Sequence, residues 1–320
     1  MGKVCVTGAS GYIASHIVQQ LLTRGHVVHG TVRDVANSAK TAHLSTLEGA
    51  EKRLRLFSAD LVTGGFEAAV LGCDGVIHTA TPVMLTAEDG ETEIFEPAMA
   101  GLEHVLAAID RAPEVKSFVL LSSTAAVAPE PRPAVVSEEH WSDPQDKREQ
   151  GKWYGCAKTT KELKAREWAA ARPLIRYVAI NPTLVVGPML QPGLNESMRI
   201  LADIVTGARM MTAPNDSFSF VDVRDCAAMH VAAYERDDVT GRHLCVAESL
   251  HWNDIFATLK EIYPAVPDVQ PYRGGGLVAP IKFDTTKQQK SLLDMALRRS
   301  TRDILVDAVA ELQNRGFLAT

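Results

Sequence analysis

Residues 3–34 read KVCVTGASGYIASHIVQQLLTRGHVVHGTVRD, and the fold turns on them. Lys3–Thr7 is a short β-branched apolar run, which predicts a buried strand. Gly8, Gly11 and Ala14 follow at G-x-x-G-x-x-A spacing. Ile13, Ile17, Val18, Leu21 and Leu22 then share one face at helical period, and Gly25 ends that helix. Val27–Val32 predicts a second strand. Strand, glycine turn, helix and strand in this order form a βαβ dinucleotide-binding unit. Each small residue has a local reason. Gly8 lets the chain turn sharply off the strand, Gly11 keeps no side chain between backbone and pyrophosphate, and Ala14 lets the helix pack close to the sheet. The helix N-terminus would offer free N–H groups and a positive dipole end to phosphate. The competing reading is a chance glycine-rich turn in some other α/β protein. The flanking strands and helix at the right distances argue against it.

Alternation continues outward from this unit. Arg53–Ser58, Gly75–Thr79, Ser117–Ser123 and Tyr177–Val186 read as further strands, with Glu93–Arg111 and Tyr154–Ala171 as helices, the latter charged on its outer face. Regular alternation implies a parallel sheet covered on both faces, with ligands beyond the carboxyl ends of the strands. After Gly187 prolines and glycines break the pattern. Phe218–Val221 and Arg242–Ala247 look like strands, and Arg224–Tyr234 and Asp303–Gly316 like helices. The expected class is α/β: a Rossmann-type doubly wound parallel sheet with a smaller C-terminal substrate lobe. The expected division is a dinucleotide-binding domain over 1–186, with segments near 215–247 returning to it, and a mainly substrate-binding lobe over 187–320. Pro129–Trp141 is a loop that either borders the active site or is a solvated connector.

The chain has 320 residues, 46% of them hydrophobic, and a net charge of −6. No long run of like charge argues for nucleic acid or for a polybasic membrane anchor. No apolar run reaches membrane length. A first strand starting at residue 3 leaves no room for a signal peptide, and position 6 lacks the Ser or Thr of a myristoylation signal. The five scattered cysteines show neither metal spacing nor a disulfide framework. A cytoplasmic protein, monomer or homodimer, with no nucleic-acid or membrane partner is expected.

The chemistry centres on GKWYGCAKTTKE. Tyr154 and Lys158 stand four apart in a helical stretch, so they share a face. A lysine ammonium near a phenol favours the phenolate and lowers its pKa from about 10. Tyr154 is thus a candidate to hand a proton to a carbonyl oxygen. A hydroxyl from Ser122-Ser123-Thr124, at the end of the fifth strand, can orient that oxygen. His78 reads as a packed or hydrogen-bonded histidine, and Asp222 and Asp225 as anchors of a helix start.

TGASGYIASH, the Ser122-Ser123 pair after FVLL, and Tyr154-x-x-x-Lys158 resemble the extended short-chain dehydrogenase/reductase family. TVRD, HTATPV, WYGCAK and NPTLVVGP are similar to its dihydroflavonol reductase, cinnamoyl-CoA reductase and yeast-type carbonyl (methylglyoxal) reductase branch. The resemblance spans nearly the whole chain. It implies a catalytic set of Ser123, Tyr154 and Lys158. It also implies a cofactor site around Thr7, Gly8, Gly11, Tyr12 and Ile13 at the glycine turn. Arg33 and Lys40 would meet a 2′-phosphate, making the cofactor NADP(H). By residue type alone, Arg33 followed by Asp34 leaves NAD and NADP open. Asp60 and Leu61 would border the adenine. Thr79, Ala80, Thr81, Pro182, Thr183 and Leu184 would line the nicotinamide end, with Tyr154 and Lys158.

The implied activity is NADPH-dependent reduction of a small-molecule aldehyde or ketone. Alternatives are a cinnamoyl-CoA or dihydroflavonol reductase, an NAD(P)-binding epimerase, and a non-catalytic NADP sensor. Ala128 stands where dihydroflavonol reductases carry Asn. The fuller N-x-W-Y-x-Y-x-K signature of the cinnamoyl-CoA branch is reduced here to Trp153-Tyr154-Gly155-Cys156-Ala157-Lys158. Ala100-Gly101 replaces a polar residue before the Gly.

Overall fold

The computed structural model describes residues 1–81, 87–291 and 299–319. Its strands are β1 (Lys3–Thr7), β2 (Val27–Val32), β3 (Leu54–Ser58), β4 (Gly75–His78), β5 (Ser117–Leu121), β6 (Arg176–Pro182), β7 (Leu184–Val186), β8 (Ser217–Asp222), β9 (Gly241–Cys245) and β10 (Glu248–His251). Seven of them form one sheet in the order β3-β2-β1-β4-β5-β6-β9. Every neighbouring pair in that sheet runs parallel. This is the Rossmann-type α/β fold. The strand order reverses between β1 and β4, so connections leave in opposite directions there and open a crevice at the carboxyl edge.

Apolar layers lie on both faces, as a doubly wound sheet requires. The helix Tyr12–Thr23 buries Ile17, Val18, Leu21 and Leu22 against one face. The other face carries Phe118 and Leu120 under Leu102, Val105 and Ile109 of the helix Glu96–Asp110. That helix was expected to begin at Glu93. Instead a wide π-turn over Glu91–Phe95 leads into it, begun by Asp89, whose carboxylate accepts the N–H of Glu91 at 3.0 Å.

The strand expected over Tyr177–Val186 is two strands. β6 ends at Pro182, and after Thr183 the chain enters a second sheet of order β10-β8-β7. The apolar run is continuous because both strands are buried, so nothing in its hydrophobicity marks the break. β9 closes the edge of the main sheet beside β6. The helix Thr301–Asn314 covers the second sheet with Ile304, Leu305, Ala308, Val309 and Leu312. All five cysteines are free thiols and buried. Among the described residues no helix is long and apolar enough to cross a membrane.

Phe118, on β5, is wholly buried, edge-on to Trp168 at 5.7 Å and tilted against Tyr177 at 5.9 Å. Phe118→Ala should lower the unfolding free energy by about 3–5 kcal/mol, read as a shifted midpoint in urea unfolding at unchanged slope.

Candidate active site

The site grows from the crossing of the turns after β1 and β4. Gly8 has φ +65°, in the left-handed region that glycine enters without strain. A Cβ there would also lie 3.2 Å from that of Ala80. At Gly11 a Cβ would meet the Gly8 carbonyl oxygen at 3.1 Å, and no side chain caps the helix that begins at Tyr12. Bare backbone at a helix start is the cradle a pyrophosphate needs. Thr7 ties the crossing together. Its hydroxyl accepts the N–H groups of Thr79 (3.1 Å) and Ala80 (3.2 Å) and lies 2.8 Å from Nδ1 of His78. The Thr79 hydroxyl donates to the Thr7 carbonyl. Lys161, fully buried, donates to the Ala80 carbonyl and the Thr81 hydroxyl, each at 2.9 Å.

At the ends of β2 and β3 the structure separates residues that offer side chains from those that do not. Arg33 and Lys40 are exposed, and their charged groups have no partner among the described residues. The Asp34 carboxylate accepts the N–H of Ala36 at 2.9 Å. Asp60 holds its own loop by accepting from Val62 at 2.8 Å. Leu61 packs where a Cβ on Gly101 would stand, 2.2 Å away, so that helix position has room only for glycine. The Tyr12 side chain is buried and its hydroxyl donates to the Gly187 carbonyl at 3.0 Å, which leaves its backbone at the phosphate cradle. Pro82 and Val83 of the HTATPV motif lie outside the described residues.

Ser122 and Ser123 point apart. Ser122 is buried and donates to Glu162. Ser123 and Tyr154 line the same cavity, the Ser123 hydroxyl near enough to the phenol to favour its ionised form, and the Ser123 oxygen accepts the Ala125 N–H at 3.1 Å. Lys158 lies one turn along the helix Trp153–Ala170. Its Nζ is 5.7 Å from the Tyr154 ring centre and donates to the Leu121 carbonyl at 3.0 Å. These groups border a cavity of about 530 Å³. Ile13, Thr79, Thr81, Pro182, Thr183 and Leu184 also line it, and apolar side chains such as Ile200, Phe218 and Phe283 close its far end. The Thr183 hydroxyl is buried there with no hydrogen-bond partner among the described residues. Of the loop over 129–141, Arg132 and Val136 border the cavity, and Arg132 pairs with Asp216 at 3.5 Å. The loop is therefore a wall of the site rather than a connector.

The net direction for the phenol is the opposite of the lowering expected beside a lysine, because burial dominates. Burial pushes the Tyr154 hydroxyl above its ordinary range, and the Ser123 hydroxyl pulls it part of the way back. A phenol protonated at neutral pH is the form that can donate. Burial instead acts on Lys158, bringing its ammonium down to about 8 against the upward pull of Glu162. Burial and the two nearby lysines hold His78 neutral. The helix is not charged on its outer face alone: Lys158, Lys161 and Glu162 are all buried on its inner face.

Four residues around the site escaped sequence reasoning: Lys161, Glu162, Asn181 and Arg242. Asn181 donates to the Ser123 carbonyl at 3.1 Å and to Glu162 at 2.8 Å. The spacing of Lys161 and Glu162, three and four residues after Lys158, was the available signal, since it sets them on the same inward face.

The chain matches the NAD dependent epimerase/dehydratase family over residues 4–247. It is 42% identical over 300 residues to cinnamoyl-CoA reductase CAD2 of Medicago truncatula, covering 90% of this chain and 89% of that protein. It is 34% identical to tetraketide alpha-pyrone reductase 1 of Arabidopsis thaliana, covering 100% and 98%. Among solved structures it resembles vestitone reductase from alfalfa, Medicago sativa, with a TM-score of 0.82, 26% identity, and 99% and 100% of the two chains covered. It also resembles Gre2 from Candida albicans in complex with NADPH, with a TM-score of 0.83, 26% identity, and 98% and 99% covered.

The depressed Lys158 ammonium has a stability consequence. An unfolded lysine keeps its proton up to about pH 10.4, whereas the folded one sheds it near 8. Below 8 both states are charged and burial of the charge costs folding free energy; between 8 and 10.4 the folded state is relieved first, so this cost fades as pH rises. Lys158→Met should therefore raise the unfolding free energy at pH 7 by about 1–3 kcal/mol, with the gain shrinking above pH 8, as measured by denaturant unfolding across pH.

Proposed function

The chain belongs to the NAD dependent epimerase/dehydratase family, in its reductase branch, and from that premise we propose that it reduces an aldehyde or ketone with NADPH, Tyr154 giving the proton. The observation that carries this reading is the convergence of Ser123, Tyr154 and Lys158 on one wall of a largely apolar cavity that reaches the carboxyl ends of the strands.

The residues fit the cofactor. The bare turn at Gly8 and Gly11 suits a pyrophosphate. Arg33 and Lys40, unpaired among the described residues, suit a 2′-phosphate, and the partnerless Thr183 hydroxyl suits a polar group at the nicotinamide end. When bound, NADPH supplies the hydride. The chain's own work is to place and protonate the substrate. Ser123 donates to the carbonyl oxygen and holds it against Tyr154. The phenol, kept neutral by burial, releases its proton to that oxygen as negative charge develops. The Lys158 ammonium, one turn away, makes the resulting phenolate less costly until a solvent proton restores it. Ile200, Phe218 and Phe283, all from beyond residue 187, give the substrate end an apolar, aromatic-tolerant lining. Five buried free thiols suit a reducing cytoplasm.

A second reading, reduction of a cinnamoyl-CoA thioester, is supported by the 42% identity to cinnamoyl-CoA reductase CAD2. The shortened WYGCAK signature weighs against it. A panel of aromatic aldehydes, ketones and cinnamoyl-CoA thioesters, followed by loss of NADPH absorbance, separates the two. The first reading expects the free carbonyls to give the higher kcat/KM, and a thioester preference would sink it.

Tyr154→Phe should lower kcat by about 10²–10⁴-fold while NADPH affinity, read by fluorescence titration, changes little. Arg33→Ala should lower kcat/KM for NADPH by about ten- to a hundredfold and leave that for NADH unchanged. Equal losses with both cofactors would contradict a 2′-phosphate contact.

A further inference from the structure

Behind the Ser123–Tyr154 pair lies a buried ionic cluster that the reaction just described does not use. Glu162 is fully buried and Arg242 nearly so. The Glu162 carboxylate receives Nε of Arg242, the Ser122 hydroxyl and, at 2.8 Å, the Asn181 amide. The same amide holds the Ser123 carbonyl. Arg242 spends its remaining donors on backbone carbonyls of the site's walls: Ala126 (3.0 Å), Glu138 (2.8 Å) and His140. Its guanidinium stacks over Trp141 at 3.5 Å. An apolar pair of the same volume would commonly serve stability as well. The charge therefore calls for another use, and the candidate is Lys158, one helical turn before Glu162.

We propose, resting on the functional reading above, that Glu162, restrained by Arg242, is a positioning residue: it supplies the buried counter-charge of the Lys158 ammonium and anchors the backbone that carries Ser123. Lys158 has no carboxylate hydrogen-bonded to it among the described residues; its Nζ meets a carbonyl. Glu162 and the Cys226 sulfur, from the helix Val223–Glu235, favour its charge, the latter as a thiolate whose pKa Cys245 and His230 bring down to about 6. Lys161 on the same helix disfavours it, as does any positive charge on His78 of β4, which burial keeps neutral. Arg242 on β9 opposes it from behind Glu162, Tyr177 on β6 faces Glu162, Arg242 and Arg166, and the Tyr154 ring lies 5.7 Å from the ammonium. Glu162 is the one carboxylate among the groups that favour the Lys158 charge.

The test is the alkaline limb of kcat/KM for NADPH at saturating carbonyl substrate, which reports groups on the cofactor-free enzyme. Glu162→Gln should move the midpoint of that limb down by about one pH unit. Arg242→Gln, which leaves Glu162 to Lys158 alone, should move it up. Glu162→Asp, which keeps the charge, should return it toward wild type. Mere packing damage would lower the rate at every pH without opposite displacements. If circular dichroism shows that the variants do not fold, the wild type carries the test: a limb governed by a buried counter-charge stays in place between low and high salt, and a limb that moves with salt overturns the proposal. A wild type that oxidises NADPH with no carbonyl overturns the functional reading. An active wild type whose limb neither glutamine variant displaces overturns this inference alone.

Discussion

The site depends on one close crossing of backbone. β1 and β4 are neighbours at the point where the sheet reverses direction, and the turns that leave them must pass each other within van der Waals contact. Gly8 makes this passage possible in two ways at once. Its positive φ turns the chain off β1, and its missing Cβ admits Ala80. The Thr7 hydroxyl then satisfies two N–H groups that the crossing would leave buried and unpaired, each worth about 1–3 kcal/mol if abandoned. Helix start, cavity floor and the Thr79–Thr81 turn all take their places from this contact.

The cost of the site is concentrated in the helix Trp153–Ala170. A surface helix of this composition would keep its charges in water, yet Lys158, Lys161 and Glu162 are buried together. Desolvation depresses both ammonium groups, and carbonyl and hydroxyl acceptors, one carboxylate and the Cys226 sulfur offset it in part. Buried charge of this kind adds little stability by itself. It makes sense where a cation is to be held one turn from a phenol, as Lys158 is from Tyr154. The same burial that penalises Lys158 keeps Tyr154 protonated, so a single dry environment sets both groups.

Local patterns were legible and their environments were not. The strand–turn–helix–strand unit was readable because glycine spacing and helical period each report backbone directly, and β1, β2 and the helix between them lie where the pattern sets them. The four-residue interval likewise placed Tyr154 and Lys158 on one helix. The direction in which burial moves the phenol depends on what covers it, and no interval encodes that. Lys161 and Glu162 read as solvated because charge at helical spacing usually is. Arg242, the partner of Glu162, lies 80 residues away on β9, a pairing that follows from sheet order and from nothing local. The anchor of Tyr12 was hidden for a related reason: Gly187, which accepts its hydroxyl, lies 175 residues away.

The break at Thr183 shows how a feature invisible in the sequence can still shape the chemistry. Had the run over 177–186 stayed a single strand, its carboxyl end would have continued in the plane of the main sheet, past the edge where the Ser123–Tyr154 pair lies. Instead β6 stops at Pro182, and after Thr183 the three residues Leu184–Val186 pair with β8 in another sheet. The chain therefore steps away from the main sheet beside Ser123. The second sheet contributes Phe218 to the resulting cavity from its other side. Thr183, at the step itself, holds its backbone with the Cys245 carbonyl at 3.2 Å and has no partner for its hydroxyl among the described residues. Pro182 is buried in a strand and gives no N–H to the ladder, so it is a natural last residue for β6. The cavity beside the phenol thus exists because one buried apolar run is divided between two sheets.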